Sequence, residues 1–462
     1  MKPSKALCSA LLLLSLTCAC EDADKILNTR DQGQSSIDKT TLEANRFVSE
    51  MMRSFYLWND EMSNISYKTY DDTKEYFNDL KVEQDHFSFI VDNQEQKDQV
   101  LSGIVTTIGC YATAHHTEAN SKEIVIVVRH VHKDSPAYKA GVKRGDLVTE
   151  INGQQLTTSN YGNLWDQAGV YKITRRNPDT EESEELTFRL LPTLITEDPA
   201  TEFKVFDNGI AYLHYYSYNK DFNDKLTQIF NVFRGLGATD LILDLRYNTG
   251  GDMLAVERLC SLIAPQSNVD NGDELLWYKY NKSLSALPYY NRKDNASYFE
   301  QGATSMNLNR IVILTSGMSY SASESTIIAL EPYMEVKVIG TQTGGKNQTM
   351  LILTPDIFTD DNNERVFPET IDNWLIAPIV ATYYNSDDET FVPMEGIAPD
   401  FVIDEDDYFL RDLGSEKDPL IAAGIEYLTT GNVTLPVVPK SACDKESIEI
   451  TKRFKGAIMP RR

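Results

Sequence analysis

Four short apolar runs constrain this chain more than any other feature. They are Ile210-Ala211-Tyr212-Leu213, Leu241-Ile242-Leu243-Asp244-Leu245, Ile311-Val312-Ile313-Leu314 and Val336-Lys337-Val338-Ile339. Helical patterns follow the first three, near 221–235, 253–264 and 322–331. Apolar strands alternating with helices imply a largely parallel sheet with right-handed crossovers. In open sheets of this kind ligands lie beyond the carboxyl ends of the strands. Three such ends are 246–251, 315–321 and 340–346, so strand direction alone brings a glycine pair, a serine cluster and a lysine to one edge.

Ser321 stands where one of these loops enters a helix. Ser321-x-x-Glu324 reads as a capping box, which explains a serine there without catalysis. The same position has a chemical use. A helix N-terminus offers free N–H groups and a positive dipole end, so the Ala322 N–H can stabilise an oxyanion formed by attack of the serine. A serine hydroxyl needs a base, and Lys346, on the next strand-end loop, can be one if burial keeps it neutral. Its bland reading is a solvated loop lysine. Gly250 and Gly251 serve either a tight turn or the close approach of a second oxyanion donor.

The remainder of the chain has other textures. Phe47, Met51, Phe55 and Trp58 recur at roughly helical spacing, which predicts a helical stretch over 41–91 with these aromatics as core. Residues 100–192 read as short strands and turns, among them Ile124 to Val128 and the turn Lys143-Arg144-Gly145-Asp146. Residues 266–305 form a Tyr- and Asn-rich excursion. A net charge of −25, from 44 basic and 69 acidic residues, repels phosphate backbones and sets nucleic acid aside as a partner. Beyond Cys20 the cysteines are Cys110, Cys260 and Cys443, too few and too scattered for a disulfide framework. At the N-terminus Lys2 and Lys5 precede an apolar stretch, Ala6 to Leu16, too short to span a bilayer as an ordinary helix. Thr17-Cys18-Ala19-Cys20 resembles a bacterial lipobox, with Cys20 the lipidated residue, although Leu16 sits one place early. Glu21-Asp22-Ala23-Asp24 resembles the surface-export signal of lipoproteins in Bacteroides-like bacteria.

Taken in order, several segments carry a family resemblance. "LILDLRYNTGGDM", "YSASES", "VIGTQTGGKN" and "GIAPD" look like the signature, nucleophile, base-loop and closing motifs of the tail-specific, or C-terminal-processing, serine peptidases. "PAYKAGVKRGDLVTEING" at 136–153 looks like their PDZ domain. The resemblance spans about 41–405 and rests on all the motifs in family order, since each alone is weak or moderate. It implies an α/β (α+β multidomain) chain: an N-terminal helical segment, a PDZ-like β-rich domain and a crotonase-like α/β peptidase core with a largely parallel sheet. The expected plan is signal peptide 1–20, tether 21–40, helical domain 41–95, PDZ-like domain 96–195, peptidase core 200–440 and tail 441–462. The resemblance further implies Ser321 as nucleophile, Lys346 as base, and Ala322 with Gly250 or Gly251 as oxyanion hole. Many relatives have Gln four residues after the lysine; here that residue is Met350.

The expected activity is that of a serine endopeptidase cleaving polypeptides selected through unstructured, apolar C-terminal tails. Leu101-Ser102-Gly103-Ile104 is the candidate loop for capturing the terminal carboxylate, with Ser102, Gly103 and Ile104 as its peptide-binding residues. Residence in the cell envelope through a lipid on Cys20 is expected, with no cofactor. Rival readings are weaker. Gly340 to Lys346 nearly matches a phosphate-binding loop, but Asn347 replaces the hydroxyl residue and a strand-like segment follows. His115-His116 and His130-x-His132 lack the carboxylates of a full metal set. The serious alternative is a non-catalytic protein on the same fold that binds peptides or apolar ligands. The retention of both Ser321 and Lys346 argues against it.

Overall fold

The computed structural model describes residues 37–102, 104–118, 121–434 and 447–449. The predicted parallel sheet is present. Its strand order is Glu202–Val205, Ile210–His214, Asp240–Asp244, Arg310–Thr315, Glu335–Gly340 and Phe401–Val402. The first pair is antiparallel and every later pair is parallel. Parallel strands are covered on both faces, which is why they read as unbroken apolar runs. One face packs on helices Asn223–Gly235, Met253–Ile263 and Ala322–Leu330 through Leu241, Leu243, Ile311 and Ile313. The other packs through Ile242, Val312 and Leu314 on helix Pro419–Thr430.

The excursion 266–305 builds part of a second sheet. Its strand Glu274–Tyr280 pairs antiparallel with Ile379–Asn385, which pairs on its other side with Gln348–Met350, the strand just after Lys346. The N-terminal helix Lys39–Phe55, capped by the Asp38 carboxylate, buries Phe47, Met51 and Phe55 against Phe358, Phe367 and Ile371. Asn281 from the excursion donates to the carbonyls of Ser54 and Tyr56 at the end of that helix, 3.2 and 2.9 Å away.

The PDZ-like region is a separate antiparallel sheet with its own core of Ile126, Val128, Val148, Tyr171 and Ile173. Its strand Cys110–His116 pairs with Ile124–Val131 on one side and with Ser447–Glu449 on the other. Here the expectation for 101–104 needs correction. Ser102 closes helix Gln94–Ser102, and Ile104 opens a strand paired with Thr193–Thr196, so these residues are not a free loop. Gly103 lies outside the described residues, as does Cys20. Among the described residues no helix is long and apolar enough to cross a membrane.

Candidate active site

The three strand-end loops are bonded into one unit. Ser319 Oγ donates to Leu245 O at 2.9 Å, and the Gly344 N–H donates to Ser319 O at 3.0 Å. Asn248 O accepts from the Tyr320 N–H (3.1 Å) and from Ser323 Oγ (2.8 Å). The closing segment holds the lysine loop from outside: Ile397 N–H donates to Thr343 Oγ1 (2.7 Å) and Thr343 N–H to Ile397 O (3.1 Å).

Ser321 is the N-cap of helix Ala322–Leu330 and has φ 54°, a conformation a serine holds only when its surroundings impose it. It is fully buried, and its Oγ has no hydrogen-bond partner among the described residues. The sequence assigned Glu324 a cap. The structure gives it a larger task. One carboxylate oxygen accepts from the N–H groups of Ser321 (2.7 Å) and Lys346 (2.9 Å). The other accepts from Thr343 Oγ1 (2.6 Å) and the Gly345 N–H (2.7 Å). A single buried carboxylate thus ties the serine to the lysine loop. Tyr383 makes a second tie, its hydroxyl lying 2.6 Å from Lys346 O and 3.2 Å from Ser321 O.

Lys346 is fully buried as well. Its Nζ donates to Met350 Sδ at 2.9 Å and lies 5.3 Å from the centre of the Phe87 ring. Burial pushes the lysine down to about 7, against the opposing charges of Glu324 and Asp85. Loop 340–350 carries no acid of its own; the two nearby carboxylates come from elsewhere in the chain. Asp85 is held by the Tyr56 hydroxyl (2.8 Å) and the N–H groups of Phe87 (3.0 Å) and Ser88 (2.8 Å), which fixes Phe87 over the lysine. Phe87 and Asp85 were visible in the sequence only as part of "DHFSFI".

Gly250 has φ 106°, and a Cβ there would stand 3.0 Å from Ser321 Cβ and 3.1 Å from the Ala322 nitrogen, so the glycine allows the turn to touch the serine. Its own N–H donates to Asn248 Oδ1 at 2.9 Å. Of the expected pair Gly250–Gly251, Gly250 thus has its N–H engaged by a side chain of its own loop. Ala322 is the first helical residue, where the N–H has no acceptor within its own helix. The histidines are elsewhere: His130, His132 and His214 pack together with Tyr216 between the PDZ-like sheet and the core. Among the described residues no group of three or more metal-ligating side chains is placed to hold an ion.

Residues 209–403 match the model of peptidase family S41, residues 43–89 that of the peptidase S41 N-terminal domain, and residues 127–164 that of a PDZ domain. The two S41 matches together span more than half of the chain. The chain is similar to a CtpA-like serine protease of Staphylococcus aureus, 24% identical over 391 residues that cover 83% of this chain and 68% of that protein. It is also similar to the carboxy-terminal processing protease CtpA of Bacillus subtilis, 24% identical over 330 residues, covering 70% and 62% respectively. Among solved structures, an S41 protease from Bacteroides fragilis shares the fold with a TM-score of 0.68 at 21% identity, covering 84% of this chain and 97% of that one.

Proposed function

Since the chain belongs to peptidase family S41 and is a serine-type endopeptidase acting on polypeptides, we propose that Ser321 is its nucleophile and Lys346 its general base. The observation that carries this is Lys346 itself: a lysine without exposed surface, at about 7, on the loop tied by Glu324 to the backbone of Ser321. A neutral amine near the working pH is what a proton acceptor requires. In the structure Nζ rests on Met350 Sδ and Ser321 Oγ has no partner among the described residues, so the productive bond between them forms when Nζ turns from sulfur to oxygen.

Ser321 Oγ attacks the peptide carbonyl carbon and its proton passes to Lys346 Nζ. The oxyanion is met by the N–H groups of Ala322 and Gly251. Collapse breaks the C–N bond, and the lysine returns its proton to the departing amine. Water then attacks the acyl-enzyme, giving a proton to the same lysine; the ester bond to Ser321 breaks as the lysine returns that proton to Ser321 Oγ, which frees the carboxylic acid product and restores the neutral amine. Histidine has no part in this cycle. Ser321→Ala and Lys346→Ala should each abolish cleavage of an unstructured polypeptide, and the double variant should be no worse, because the pair acts as a unit. Lys346→Arg should fail too, since a guanidinium stays charged. Near-normal cleavage by any of these variants would remove the assignment.

The finer substrate reading is selection of unstructured polypeptides with apolar C-terminal ends through the PDZ domain, supported by that domain's habit of adding an extended peptide to a sheet edge. Attachment to the cell envelope by a lipid on Cys20 is supported by the basic and apolar residues that precede it. Cys20→Ala should release the protein from the membrane fraction; unchanged fractionation would count against the anchor.

A further inference from the structure

Strand Cys110–His116 is the edge to which a peptide would add in the PDZ sheet, and in this structure that edge is taken. Ser447–Glu449 pairs with it antiparallel, Ser447 opposite His115, Ile448 opposite Ala114 and Glu449 opposite Thr113. An antiparallel strand on this edge runs toward the start of Cys110–His116. There the chain turns through Thr107-Ile108-Gly109. Gly109 has φ 84°, and a Cβ on it would lie 2.1 Å from Ser135 Cβ, so only glycine fits the turn. Backbone N–H groups at such a turn are where a strand-adding ligand's terminal carboxylate is captured. One carboxylate is already there. Asp166 Oδ1 accepts from the Ile108 N–H at 2.6 Å and from Thr107 Oγ1 at 2.8 Å, while Thr107 Oγ1 accepts from the Gly109 N–H at 3.0 Å. Asp166 itself holds φ 60°, a left-handed conformation that aspartate adopts more readily than most residues.

We propose that the PDZ groove is self-occupied: residues 447–449 are its resident strand, Asp166 stands where a ligand's terminal carboxylate would bind, and an extended substrate enters by displacing both. The two observations are independent, one from strand register and one from side-chain hydrogen bonds. A tethered strand competes at the high effective concentration of an intramolecular partner, so a short one can hold the edge against dilute substrate. When the open form is about a tenth of the population, apparent affinity for a substrate falls about tenfold. The inference rests on the peptidase reading only for the kind of ligand displaced.

The test is binding rather than turnover, so that it stands apart from the assignment of Ser321. A labelled unstructured polypeptide with an apolar free C-terminus is titrated into the full-length Ser321→Ala protein and into the same protein ending at Thr434. Removal of the tail should tighten binding about tenfold, and a synthetic peptide of residues 444–454 should reverse the gain. In a second arm Thr113→Cys and Glu449→Cys, with Cys443→Ser, place cysteines on directly opposed residues of the register. Facing residues of an antiparallel pair lie within disulfide reach. Oxidation should form the cross-link and weaken polypeptide binding, and reduction should restore it. In a third arm Asp166→Asn should tighten binding of the free-acid polypeptide and leave its C-terminal amide unchanged. Equal affinity with and without the tail, a cross-link that does not form, or one that forms without altering binding would each overturn the proposal. Survival of cleavage in Ser321→Ala would instead overturn the nucleophile assignment and leave this one standing.

Discussion

In the proposed mechanism Lys346 is the residue on which the chemistry turns, and its burial has a stability consequence as well as a catalytic one. Burial lowers it from 10.5 to about 7. Activity needs the neutral amine, so kcat/KM should rise with pH through an acid limb near 7 and level above it. Met350 bears on that limb. A thioether is a weak acceptor and stabilises an ammonium less than an amide oxygen does. Met350→Gln should therefore raise the lysine and move the acid limb to higher pH, read from the pH dependence of kcat/KM; an unmoved limb would detach Met350 from the lysine. The stability sign follows from linkage. An unfolded lysine keeps its proton below 10.5, whereas the folded one gives it up down to about 7. The penalty is therefore absent above 10.5, grows as pH falls, and is complete below about 7, where it amounts to roughly 4–5 kcal/mol at about 1.4 kcal/mol per pH unit. Lys346→Met should remove turnover and yet raise the melting temperature, by an increment that is largest at neutral pH and fades toward pH 10.

At the scale of elements the site is an agreement between three strand-end loops and one helix start, and Gly250 is where two of them meet. Gly250→Ala would force a Cβ to 3.0 Å from Ser321 Cβ and 3.1 Å from the Ala322 nitrogen at φ 106°. Such a backbone conformation costs an L-residue about 1–3 kcal/mol, and the methyl would crowd the Ala322 N–H, the proposed oxyanion donor. The expected result is a fall in kcat of roughly 10²–10³ with KM nearly unchanged, as for loss of an oxyanion donor; a purely structural role would show in the melting temperature alone. The strands behind these loops were legible because parallel strands buried on both faces leave apolar runs, and the loops followed from strand direction. Ser321, Lys346 and the glycines could be named on that ground. Glu324 was legible only as a cap, because its other three donors come from residues 343–346, whose approach no local pattern records. The reading of 101–104 as a loop failed for a related reason: the pairing of Ile104 with Thr196, 92 residues away, leaves no local pattern. Strand Ser447–Glu449 has three residues, too few to show a period.

At the scale of the whole molecule the question is what seats the PDZ-like sheet on the peptidase core. Arg144 donates to Glu405 (2.8 Å) and to the Tyr247 hydroxyl (2.5 Å), and Arg129 pairs with Asp406 (2.5 Å). Arg246, fully buried behind the glycine loop, shares Glu405 and also binds Asp244 and Asp418. Burial alone would raise the Glu405 carboxyl, but Arg144, Arg129 and Arg246 hold it well below the usual range. Its contribution is thus present throughout neutral and mildly acid pH and is lost only far into acid. His214 behaves differently. His214 on the core is buried against His130 and Tyr216, its Nε2 without a hydrogen-bond partner among the described residues, and burial lowers it to about 4, with Arg246 and Arg144 pushing the same way and Asp244 opposing. A histidine that titrates near 6.5 when unfolded and near 4 when folded leaves stability intact above 6.5. Between 6.5 and 4 the unfolded chain gains a proton that the folded one refuses, and about 3 kcal/mol is lost over that window at about 1.4 kcal/mol per pH unit. His214→Phe keeps the ring in the aromatic cluster and removes the titration. The variant should match the parent's melting temperature near pH 8, or fall slightly below it, and should lose clearly less than the parent on acidification to pH 4.5. If the two curves fall in parallel, the acid sensitivity of this junction lies with another group and not with His214.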